Sequence, residues 1–80
     1  MTKDRINLIR TCFNSYLKII NNIIHVDMEM EIENLNAEEI FQYTNKIYFE
    51  YLELCQKTKY DNSIDKAYDK LIILIESENQ

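Results

Sequence analysis

The stretch Asn36-Ala37-Glu38-Glu39-Ile40-Phe41 decides how this chain folds, because it is a helix start written in side chains. An Asn at the N-cap accepts from the free amide three residues on, and a Glu at that third position can reach back to the cap's own amide. Glu38 and Glu39 also place negative charge where the helix dipole is positive. From that start, Ile40, Thr44, Ile47, Tyr51 and Leu54 recur at steps of three and four, flanked by Phe41, Tyr48 and Cys55. This period predicts a long amphipathic helix, and the width of its apolar face marks it as the central one. Its opposite face carries Glu39, Tyr43, Lys46, Glu50, Glu53 and Lys57.

Downstream, Lys59-Tyr60-Asp61-Asn62-Ser63 reads as a connection, with Asn62 or Ser63 as the next cap. The last helix sets Ile64, Tyr68, Leu71 and Ile75 on one face, beside Ala67, Ile72 and Leu74. At the other end of the chain, Ile6, Ile9, Phe13, Tyr16, Ile20 and Ile23 form the stripe of a first helix running from Thr2 or Lys3 to about Asn21. Asn21 and Asn22 either end it or sit on its polar side, and a break is preferred, since Asn tolerates a left-handed cap.

Between these helices lies Val26-Asp27-Met28-Glu29-Met30-Glu31-Ile32-Glu33, where apolar and acidic residues alternate. Alternation suits a half-buried strand, but Met and Glu are strong helix formers and no second alternating segment offers a pairing partner. Helix is therefore preferred to strand or extended loop, with Met28, Ile32 and Leu35 on one face. The chain has no Gly and no Pro, so tight hairpins, phosphate-cradling loops and strained nucleophile turns are disfavoured. These readings converge on an all-α fold, a small antiparallel bundle of three or four helices in one domain spanning residues 1–80.

The charge is uneven. Asp27, Glu29, Glu31, Glu33, Glu38 and Glu39 fall together, and no Lys or Arg occurs between Lys18 and Lys46. Without those six the formal net charge of -5 would be +1, so the acidity is local. Such a patch attracts basic surfaces and repels nucleic acid and anionic lipid. No cofactor is expected. His25 is the only histidine, and its i, i+4 spacing to Glu29 is common on helices, so neither a metal site nor a histidine-based nucleophile is expected. Cys12 and Cys55 sit among apolar neighbours and read as buried thiols. The charged start Lys3-Asp4-Arg5 is unlike a signal peptide, and no apolar run is long enough for a membrane span, so a cytoplasmic protein is expected. An enzyme is not. The acidic face either serves only to keep a small protein soluble or docks a basic protein through the acidic residues and Tyr43, one turn beyond Glu39, and docking is the expected role. Self-association through the long first helix, or nucleic-acid mimicry by a phage-encoded inhibitor, are the alternatives.

Glu38-Glu39-Ile40-Phe41, Tyr60-Asp61, Ile64-Asp65 and Leu71 resemble the immunity proteins of the colicin D type and of contact-dependent inhibition systems. The resemblance covers the second half of the chain; the first half departs from that pattern, and the Asp-Tyr-Tyr-Pro run of nuclease-colicin immunity proteins is absent. It implies a helical protein that covers the basic active site of a tRNA-cleaving toxin, with Glu38, Glu39 and Asp61 among the toxin contacts.

Overall fold

The computed structural model describes residues 3–26, 31–55 and 62–77, the side chains of Cys55 and Asn62 excepted. Three helices make up the fold, α1 (Lys3–Ile20), α2 (Ala37–Cys55) and α3 (Asn62–Ser77), with a 3₁₀ turn at Ile32–Asn34 before α2. No strand occurs among the described residues. The all-α bundle expected from periodicity is present.

Each helix buries most of the stripe its sequence spells; Ile6 and Tyr68 are half-buried, and Ile23, past the end of α1, is exposed. Ile9, Phe13, Tyr16, Leu17 and Ile20 of α1, Ile40, Thr44, Ile47 and Tyr51 of α2, and Ile64, Leu71 and Ile75 of α3 form one core, which Leu35 joins from the segment before α2. Removing this apolar surface from water is the main force holding so short a chain together. Leu54 is the exception on α2: it lies on the last turn, where the core ends, and is 39% exposed. Cys12 is half-buried against the core rather than enclosed, and the Cys55 thiol lies outside the described side chains.

α1, not α2, is the central helix. It packs against α3, α2 and the 3₁₀ turn. The buried face of α2 is narrower than its spacing suggests, because Tyr48 is only half-buried and Phe41 and Leu54 reach the surface. Direction follows from which ends meet. An Arg5 Nη2 donates to Ser77 Oγ at 2.5 Å, and Ala37 and Phe41 lie beside Ile75 and Glu76. α3 therefore runs antiparallel to both α1 and α2, while α1 and α2 begin at the same end. The link between them must carry the chain back along the bundle.

That link starts where Asn21 and Asn22 predicted, by another route. Among the described residues no non-Gly residue has positive φ. Instead the helix tightens, with the Asn22 and Ile23 amides donating to Ile19 and Ile20 carbonyls, and Asn21 Oδ1 accepting from the Val26 amide at 3.0 Å. The preference for helix over residues 26–33 fails at both described ends. Val26 has no regular structure, and Glu31 is extended at φ -72°, ψ 141° before the single 3₁₀ turn. Residues 27–30, including Met28, lie outside the described residues. The tight turn still serves the pattern: Ile32 and Leu35, three apart, both pack into the core without an α-helix.

Candidate partner-binding surface

Of the eight residues expected to meet a partner, five are described. Glu31 and Glu33 are exposed on the segment leading into α2, and Glu38 is exposed in its first turn. Glu39 is half-buried and committed to the helix start: the Asn36 amide donates to Glu39 Oε1 at 3.0 Å, and the Glu39 amide donates to Asn36 Oδ1 at 2.8 Å. This is the reciprocal cap that the sequence predicted. Tyr43 was expected on the exposed face; its ring is half-buried against the core, and its free edge borders a shallow depression with Glu39, Gln42 and Lys46. Asp27, Glu29 and Asp61 lie outside the described residues.

The gap in basic residues along the sequence is closed in space. Arg10 of α1 donates from Nε and Nη2 to the Leu35 carbonyl at 3.0 and 2.8 Å. Both bonds come from one charged fork, a stronger arrangement than neutral hydrogen bonds, and they fasten the segment before α2 to α1. Arg10 also lines a polar depression of about 350 Å³ with Asn7, Thr11, Asn14, Ile32 and Glu33. A cation thus stands beside Glu33, within a run of acids that the linear sequence shows as unbroken. What remains is a fixed backbone presenting Glu31 and Glu33 outward, with a field weaker than six contiguous charges would give.

At the end of the bundle a second acidic feature appears that the sequence did not single out. A notch of about 430 Å³ opens between the start of α2 and the end of α3, lined by Ala37, Glu38, Phe41, Ile75 and Glu76. Ile75 and Ala37 supply an apolar floor, Phe41 is 36% exposed, and both carboxylates are exposed at the rim. One signal for Glu76 was available: it sits in the last turn of α3, where no basic residue accompanies it and the helix dipole disfavours negative charge.

The seam between α2 and α3 is polar and aromatic, which counting apolar positions missed. Tyr48 and Tyr68 stack with centroids 3.9 Å apart and planes at 12°. Tyr48 OH donates to Asp65 Oδ1 and Tyr68 OH donates to Asn45 Oδ1, each at 2.5 Å. Deeper in, Tyr16 OH donates to the Thr44 carbonyl at 3.3 Å. Each of these hydroxyls holds its proton above the ordinary tyrosine range. For Tyr16 burial is the main cause. The hydrogen bond to Asp65 leads for Tyr48, with burial next. Burial leads for Tyr68, and the charges of Asp69 and Glu76 add to it. Every buried side-chain polar atom among the described residues has a partner.

Among the described residues no group of three His, Cys, Asp or Glu side chains is placed to share a metal ion, and no helix is long and apolar enough to cross a membrane. Comparison with protein-family models, characterised proteins and solved structures gives no match to this chain.

Proposed function

We propose that this protein is an inhibitor that docks on a basic protein, as an immunity protein does on a nuclease toxin of the tRNA-cleaving kind, and blocks its active site. One observation carries the reading: Glu31 and Glu33 project from a backbone that Arg10 clamps to α1, so the charge is presented by a fixed surface. A preorganised charged surface loses little entropy on docking, and opposite fields speed the encounter. In this mechanism carboxylates stand where substrate phosphates would sit, and the protein itself performs no reaction. Inhibition of a tRNA-cleaving toxin places it in the cytoplasm.

Self-association through α1 has less support, since Ile9, Phe13, Tyr16 and Ile20 of that helix are already covered inside the bundle.

The test uses the nuclease encoded by the reading frame adjoining this one. The wild-type chain is expected to bind it, abolish tRNA cleavage, and associate more slowly as salt rises. Reversing Glu29, Glu31 and Glu33 to Lys should leave the far-ultraviolet circular dichroism intact and weaken protection. Unchanged affinity in that variant, or no nuclease reading frame on either side, overturns the proposal.

A further inference from the structure

The notch between α2 and α3 has a floor and a rim of different chemistry. Its floor is apolar, from Ala37, Ile75 and the accessible part of the Phe41 ring, and its rim holds Glu38 and Glu76. At about 430 Å³ it falls within the ~300–1,000 Å³ range of ligand-sized depressions.

Electrostatics there favour a cation. The start of α2 carries roughly half a positive charge and the end of α3 roughly half a negative one. Because the helices are antiparallel these ends meet across the notch and largely cancel, which leaves the two carboxylates as the charges that line it; the Arg5 guanidinium, bonded to Ser77 at the same end of the bundle, tempers their field without lining the notch. Glu39 adds little, since its oxygen already accepts from the Asn36 amide.

A side chain that fits needs an apolar stem and a charged head able to reach both carboxylates. Lysine has the stem but ends in a compact, strongly hydrated point charge. Arginine carries a planar, weakly hydrated guanidinium that stacks on an aromatic face and donates in two directions. We infer that the notch is the anchor site for an arginine side chain of the basic partner, its stem over Ile75 and Phe41 and its guanidinium between Glu38 and Glu76. The inference rests on the basic-partner reading and gives it a location apart from Glu31 and Glu33.

Two measurements test it. In the first, N-acetyl-arginine amide is titrated into the full chain and followed by amide resonances. The Ala37, Phe41 and Ile75 signals should shift, while N-acetyl-citrulline amide, neutral and of the same shape, should leave them in place. A Glu38→Gln/Glu76→Gln variant should lose the shifts with its helical signal unchanged. Phe41→Leu, which keeps an apolar floor without the aromatic face, should reduce them. Equal response to arginine and citrulline, shifts spread evenly over Glu31, Glu33, Glu50 and Glu53, or a wild-type response from the double variant each overturns the inference.

The second measurement uses the nuclease that binds the wild-type chain. Its affinity for the Glu38→Gln/Glu76→Gln variant should fall about tenfold, the scale of losing charge-assisted hydrogen bonds. Unchanged affinity removes the anchor and leaves the inhibitor proposal standing. A nuclease that ignores the wild-type chain removes the inhibitor proposal, and the arginine titration then decides the notch alone.

Discussion

Two side chains do work out of proportion to their size. Arg10 is the fastening between α1 and the segment that enters α2, and both of its bonds end on one carbonyl. Arg10→Met keeps the stem and removes the fork, so the Leu35 carbonyl loses its donors; a loss of about 1.5–3 kcal/mol is expected from urea denaturation. Arg10→Lys should recover only part of that, because a lysine cannot present two parallel donors. Asn36 closes the cap on α2 through its own amide and its side-chain oxygen. Asn36→Ala is expected to cost about 1 kcal/mol and Asn36→Asp close to nothing, read as shifts in the thermal midpoint. The Asn36 cap was legible in the sequence because its partners lie within one turn. Arg10 was not, since its acceptor lies 25 residues away.

At the scale of the elements, a helical face can be read from spacing, but its neighbour cannot. On α3 the buried stripe is Ile64, Leu71 and Ile75, whereas Ile73 is 65% exposed although it sits inside an unbroken apolar run. Leu71→Ala is therefore expected to destabilise by about 2–5 kcal/mol through lost burial and the cavity it leaves. Ile73→Ala should stay within about 0.5 kcal/mol. Similar losses from the two would place Ile73 in the core and contradict the packing. The link before α2 makes the complementary point. Helical spacing placed Ile32 and Leu35 on one inward face, and both pack into the core, yet the backbone that achieves this is a 3₁₀ turn. Local propensity favoured helix. The need to return along the bundle, to the end where α2 begins, favours the extended backbone found at Glu31.

For the molecule as a whole, the tyrosine seam sets a direction for stability against pH. Tyr16, Tyr48 and Tyr68 bind their protons more tightly folded than unfolded. Below the unfolded tyrosine value of about 10, both states are protonated and the advantage is fully present. Above it, the unfolded chain releases protons that the folded one retains, so stability falls as pH rises. Denaturant midpoints should therefore hold up to about pH 10 and drop as pH rises above it, and the tyrosinate absorbance of these residues should appear with unfolding rather than before it. Tyr48→Phe removes the group bonded to Asp65 and should flatten that decline.

The sequence by itself determined the all-α class, the main buried stripe of each helix, the cap that opens α2 and the uneven placement of charge. Each of these depends on residues a few positions apart, within reach of one another on any backbone that forms. Only the tertiary structure decided that α1 is central, that Arg10 sits beside Glu33, and that Glu38 and Glu76 line one apolar notch. Those pairs are distant in the chain, and they meet because the 16 residues between α1 and α2 carry the chain back so that α2 begins beside the end of α3. Charge in a folded protein is summed over space, and spacing along the chain gives that sum only where the chain stays local.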